Sequence, residues 1–269
     1  MEPLALAVTT PTVALTGEQI ERFHHDGYLA LDALTTAADV LALRREYDRL
    51  FEQRAGRALG LQFDLAGTDD DDGEALLPQI LDPARFAPQL NDSLLLVNAS
   101  AVTRQLFGPD ATCSFFHAIN KPPLRGAETP WHQDASYWPP DHDHPTVSIW
   151  VPLQPVTVEN GCMEFVPGSH AQGEVLAHRS IGDDPRIHGN ELRPDQLVHT
   201  AGAVACPLDA GGATIHGGFM LHRTGPNRSA EPRRALILSG GLPVVRRTVP
   251  RHLPWQADKR TARARRAEG

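Results

Sequence analysis

The chain has 269 residues, 41% hydrophobic and 22% charged, which suits one large domain with a sizeable core. A formal charge of −8 and a pI near 5.9 argue against nucleic acid as the main partner, because neutralising phosphates takes clustered Lys and Arg. Three scattered cysteines without a C-x-x-C argue against a disulfide framework or cysteine zinc site and point to a reducing cytoplasm, and no run approaches the ~20 apolar residues of a membrane span.

Residues 1–15, rich in Thr, Ala and Pro, read as a loose arm with neither the basic start nor the apolar run of a signal peptide. Thr16-Gly-Glu-Gln19 has the form of a capping box and opens a short helix that should stop near Asp26-Gly27. Tyr28-Leu-Ala-Leu31 reads as a strand. A second helix starts near Thr35 or Thr36, with Val40, Leu43, Tyr47, Leu50 and Phe51 on one face. Asp69-Asp-Asp-Asp72 lacks the ligand spacing of an EF-hand and reads as a solvated loop. Residues 86–107 look helical.

From Ala111 the character changes to short strands punctuated by Gly, Pro, Asn and Asp, at 112–120, 147–152, 164–166, 198–205, 213–216 and 234–242. Asn160-Gly161 marks a turn. The basic run from Lys259 has no apolar anchor and reads as a disordered tail, which leaves 16–258 as one folded domain.

His132-Gln133-Asp134, His222 and Arg233 form the pattern with the most chemical content. In a strand, residues i and i+2 share a face, so His132 and Asp134 can grip one ion. His24-His25-Asp26 repeats the motif at a helix end, where i and i+2 diverge by about 200°. Among thirteen histidines, His-x-Asp alone equally describes a surface turn. Strand-like flanks, a later strand carrying His222, and Arg233 one hairpin beyond it shift the balance. Two imidazoles and a carboxylate suit iron(II) with open positions. Zinc takes the same donors, but a zinc hydrolase has no use for an arginine at this spacing. Arg233 offers a fork of donors to a carboxylate, or else a surface ion pair.

Ile119-Asn-Lys-Pro-Pro123, Trp131-His-Gln-Asp134, Asn160-Gly-Cys-Met-Glu-Phe-Val-Pro-Gly-Ser-His170 and His222-Arg-Thr-Gly-Pro-Asn227 followed by Arg233 together resemble the motif set of the phytanoyl-CoA dioxygenase family. Gln19-Ile-Glu-Arg-Phe23 and Gly27-Tyr28 resemble its opening helix and strand. The resemblance spans most of 16–245. It implies a double-stranded β-helix, or jelly roll, buttressed by N-terminal helices. It further implies iron(II) held by His132, Asp134 and His222, with 2-oxoglutarate and dioxygen as co-substrates and ascorbate as a reductant. Arg233, Thr224 and Trp150 would contact 2-oxoglutarate. His117, Gln133 and Gln79 are weaker co-substrate candidates, His117 standing where the family usually has an apolar or amide side chain.

Tyr137 and Trp138 are expected to touch the substrate, and Asp141-His-Asp-His144 to form the rim. With Asp134 in place of a small residue, hydroxylation of a small molecule is expected rather than halide transfer. Desaturation, epimerisation and cyclisation use the same residues. A non-catalytic jelly-roll binding protein is the reading from a different class. The Arg-, Ala- and Pro-rich composition hints at a GC-rich bacterium and a secondary metabolite as substrate.

Overall fold

The computed structural model describes residues 10–70 and 73–268. In chain order it holds α1 (Gly17–Asp26), β1 (Tyr28–Leu31), α2 (Ala37–Glu52), β2 (Gln62–Asp64), β3 (Pro78–Leu81), α3 (Leu94–Phe107), β4 (Thr112–Lys121), β5 (Thr129–His132), β6 (His142–Asp143), β7 (Thr146–Pro152) and β8 (Met163–Phe165). There follow β9 (His178–Ser180), β10 (Asn190–Leu192), β11 (Val204–Cys206), β12 (Ala213–Gly217), β13 (His222–Thr224), β14 (Arg233–Gly241), β15 (Val245–Arg246), α4 (Pro254–Ala257) and α5 (Ala262–Glu268).

Seven strands in the order β1-β12-β7-β14-β4-β3-β2 make one antiparallel sheet, and β11-β8-β13-β5 make a second. This is the expected jelly roll. Strand alternation gives the large sheet two faces. Val147, Ile149 and Val151 on β7, Ala213 and Ile215 on β12, and Leu236 and Leu238 on β14 pack under the three helices in the main core. The intervening residues, among them Ser148, Trp150, His216, Ile237 and Ser239, line a cavity on the opposite face. The helices therefore stiffen one side of the sheet and leave the other free for chemistry.

Local signals set the first elements. Thr16 accepts from the Gln19 amide while the Gln19 side chain caps Thr16, and Gly27 ends α1 in the left-handed region. Thr36 caps α2. Gly161, at φ +85°, makes the expected turn, and a Cβ there would collide with the Gly225 carbonyl oxygen.

Several expectations need correction. The helix expected over 86–107 begins only at Leu94, because Pro88–Asp92 forms a 3-10 turn and Ser93 is the cap. Pro194 starts another 3-10 stretch, to Thr200, so the strand expected at 198–205 is confined to β11. Of the arm, residues 1–9 lie outside the described residues, while Thr12 and Leu15 are tied by backbone N–H bonds to Asn98 and Gln105.

The tail and the acidic loop were each expected to be solvated, and they meet. Asp69 is paired with Arg57 and Arg266, and Asp70 with Arg265 at 2.5 Å. Asp71 and Asp72 lie outside the described residues. Lys259 Nζ donates to the carbonyls of Ile187, His188 and Gly189. Ion pairs and a carbonyl cage thus order a segment that has no apolar pattern of its own.

Candidate metal centre and active site

β5 ends at His132, but Gln133 keeps an extended backbone (φ −120°, ψ 135°), so the alternation persists to Asp134. His132 and His222 are direct partners across the β5–β13 pair, and their ring centroids lie 4.2 Å apart. Ligand atoms of His132, Asp134 and His222 all lie within 4.8 Å of one another. The second His-x-Asp does not make such a cluster: His25 Nδ1 merely touches the neighbouring Asp26 at the helix end.

Backbone carbonyls fix the tautomers. His132 Nδ1 donates to Pro130 O at 2.8 Å and His222 Nδ1 to Met220 O at 2.9 Å. Both Nε2 lone pairs are left facing Asp134 Oδ1, at 3.7 and 3.6 Å. Burial pushes the His132 and His222 pKa values down, with the Asp134 carboxylate acting against it. Burial alone would raise Asp134, but the imidazoles of His222, His216 and His132 outweigh it and hold the carboxyl well below its usual range. Neutral nitrogen donors and an ionised oxygen donor are what a divalent metal requires.

Arg233 is fully buried, with its guanidinium 5.4 Å from the Trp150 ring, and its Nε and Nη1 have no protein partner among the described residues. Burial lowers its pKa to about 10, so it stays cationic at neutral pH. A buried cation without a carboxylate is costly unless a ligand supplies one. Arg233, Trp150 and Thr224 line the same cavity as the triad, and Thr224 Oγ1 lies 3.0 Å from Thr129 Oγ1. The cavity is about 520 Å³, which holds a small molecule.

Residues 23–235 match the phytanoyl-CoA dioxygenase (PhyH) family. The chain belongs to that family. It is 26% identical over 261 residues to phytanoyl-CoA dioxygenase domain-containing protein 1 of Danio rerio, covering 81% of this chain and 87% of the relative. EvdO2 from Micromonospora carbonacea var. aurantiaca, solved in complex with 2-oxoglutarate, superposes with a TM-score of 0.75 at 33% identity, covering 93% of this chain and 99% of that one. SnoK, a non-heme alpha-ketoglutarate-dependent carbocyclase from nogalamycin biosynthesis, shares the fold at TM-score 0.69 and 22% identity, covering 88% and 89% of the two chains. The chain therefore has the fold of a 2-oxoglutarate-dependent oxygenase.

In this family member His117, Gln79, Tyr137 and Trp138 also face the cavity. His117 stacks on Phe116 with centroids 4.0 Å apart, beside the point where the β4–β14 register slips by one residue. Gln133 does not face it. Its side-chain amide donates to the carbonyls of Glu174 and Phe219 and accepts from the Leu176 N–H, so it braces the metal strand from behind. The alternation that brings His132 and Asp134 to one face sends Gln133 to the other, which corrects its assignment as a co-substrate contact. Of Asp141 to His144 only His144 lines the cavity, stacked on Trp138, while Asp143 pairs with Arg247 and Arg251.

Three features had been missed in the sequence of this dioxygenase relative. Ser148 Oγ donates to Asp134 Oδ2 at 2.7 Å. His216 Nε2 lies 3.4 Å from the same oxygen, and neither of its ring nitrogens finds a hydrogen-bond partner among the described residues. Strand parity carried the signal for Ser148, which precedes Trp150 by two. Lys121 Nζ donates to the carbonyls of Ala127, Thr224 and Gly225, and so pins the end of the strand that presents His222. Among the described residues no helix is long and apolar enough to cross a membrane.

Proposed function

We propose that this chain is an iron(II)- and 2-oxoglutarate-dependent dioxygenase that hydroxylates an unactivated C–H bond of a small molecule. The observation that carries the reading is the convergence of His132, Asp134 and His222 on one wall of a cavity that also contains the buried Arg233, whose Nε and Nη1 have no partner among the described residues. Two imidazole nitrogens and one carboxylate oxygen fit ferrous iron and leave positions open to the cavity. Iron(II) held there would supply the redox chemistry by which dioxygen and 2-oxoglutarate give succinate and carbon dioxide while one oxygen atom enters the substrate C–H bond.

The protein's own part is placement. Arg233 pairs with the far carboxylate of 2-oxoglutarate, and Trp150 and Thr224 close that end of the cavity. Ser148 occupies Asp134 Oδ2 and leaves Oδ1 for the metal. Tyr137 and Trp138 pack against the substrate. Three free thiols accord with a cytoplasmic enzyme. SnoK's part in nogalamycin biosynthesis and the GC-type composition support a secondary metabolite as substrate. SnoK's cyclising reaction on the same fold makes cyclisation the second reading.

The test is 2-oxoglutarate binding, read by quenching of tryptophan fluorescence, and succinate release with iron(II), ascorbate and candidate substrates. Arg233→Ala should weaken 2-oxoglutarate binding by ~2–5 kcal/mol, the cost of leaving one partner of a buried pair alone. An unchanged affinity would sink the reading.

A further inference from the structure

The basic C-terminal helix contributes one side chain to the cavity. Arg265 and Arg266 on α5 turn outward to Asp70 and Asp69, whereas Arg263 turns inward and lines the cavity that holds the triad. Its Nε donates to Gly60 O at 3.1 Å, and its guanidinium sits 5.1 Å from the Phe63 ring. Among the described residues its two Nη groups have neither a carboxylate nor a carbonyl partner.

A continuous path of rings leads from this cation to the metal ligands. Phe63 meets His188 edge-on at 4.8 Å, His188 stacks with Tyr137 at 5.9 Å, and Tyr137 meets His132 edge-on at 6.2 Å. The imidazoles on this side carry no charge at neutral pH: burial lowers His188 to about 3, helped by the Arg263 and Lys259 cations, and His117 to about 4. Lys259 is engaged with three carbonyls. Among the described residues Arg263 is therefore a cavity-lining cation without an acidic partner, seated on Phe63 where Arg233 sits on Trp150.

We propose that Arg263 recognises an oxyanion, a carboxylate or a phosphate, on a ring-bearing substrate whose ring lies against His188 and Tyr137, which line the cavity. This rests on the reading of the cavity as the oxygenase active site. A guanidinium fork pairs with either oxyanion through two parallel donors, and flat rings stack on aromatic and imidazole faces.

The full-length enzyme loaded with Mn(II) and 2-oxoglutarate is titrated with phenylacetate, phenyl phosphate and the neutral phenylacetamide. At least one anion should bind roughly tenfold tighter than the amide, the ratio expected of a charge-assisted pair. Whichever anion is preferred tells carboxylate from phosphate. Arg263→Gln should abolish the preference, and Arg263→Lys should keep part of it. Equal binding of all three probes, no binding of either anion, or a preference that survives in Arg263→Gln overturns the proposal. So does an equal loss of 2-oxoglutarate affinity in Arg263→Gln, which would make the arginine a support of the fold. Failure of the wild-type enzyme to bind 2-oxoglutarate is a separate result and counts against the oxygenase reading itself.

Discussion

Ser148 and Asp134 lie fourteen residues apart on different elements, and the serine hydroxyl donates to Oδ2 of the carboxylate at 2.7 Å. With Oδ2 taken, the carboxylate turns Oδ1 to the two imidazoles. Ser148→Ala frees the carboxylate to rotate. The expected outcome is a loss of about tenfold in Mn(II) affinity, in the range typical of groups that orient a metal ligand, with little change in thermal stability. Metal titration of the two proteins checks it, and affinities within twofold would show that Ser148 does not orient Asp134.

Lys121 is buried opposite Arg233 in the β4–β14 register, so two cations share one interior region. Burial, with Arg233 beside it, pushes the Lys121 pKa well down. The amine is retained by the carbonyls of Ala127 and Gly225, each at 2.7 Å. Lys121→Met leaves both unpaired and should cost roughly 3 kcal/mol, since a buried acceptor without a partner costs ~1–3 kcal/mol. Urea unfolding measures it; an unchanged midpoint would mean that water or backbone movement satisfies the carbonyls.

His178 braces the metal strand in its neutral form. Its Nδ1 donates to Leu176 O, and its Nε2 accepts from the Gln133 backbone N–H. Burial lowers its pKa to about 4. The unfolded chain takes up the proton near the ordinary value of about 6.5, while the folded chain does not until about 4. Stability therefore falls as pH drops through that window and is fully present above it. His117 and His188 act in the same direction. His178→Asn should reduce the proton uptake on unfolding by about one in this window. Urea midpoints at several pH values test this, and an unaltered slope would remove His178 from the account.

Asp69, with its side chain only 9% exposed, joins the acidic loop to the tail through Arg57 and Arg266. Asp69→Asn should loosen α5 by ~1 kcal/mol, the upper range for partly exposed pairs, which is a factor of about five in its open population. Limited trypsinolysis at the C-terminal arginines should accelerate accordingly. Equal cleavage rates would show that the segment is held without Asp69, by Lys259, Arg263 and the Asp70–Arg265 pair.

The elements that were legible in the sequence are those whose cause is local. The Thr16–Gln19 capping box, the Gly27 stop and the Gly161 turn depend on residues within a few positions of one another. The metal triad was legible because strand parity is also local: it joins His132 to Asp134, and the donor types of His222 and Arg233 did the rest. Parity, applied one residue further, also places Gln133 on the back of the strand, where the Glu174 and Phe219 carbonyls hold it.

What only the tertiary structure decided are the partnerships between segments that carry no mark of each other. Asp69 and Arg266 are 197 positions apart, and each looks like a solvated charge until the chain brings them together. His216 and Ser148 sit in ordinary strand segments and become neighbours of the metal ligand through the pairing of β7 with β12. Arg263 belongs to a run of basic residues from which nothing local singles it out, and it alone among the α5 arginines described above faces the cavity. Backbone preferences act over a handful of residues, whereas the complementarity of buried charges and donors acts through space, and only the folded chain fixes which distant groups meet.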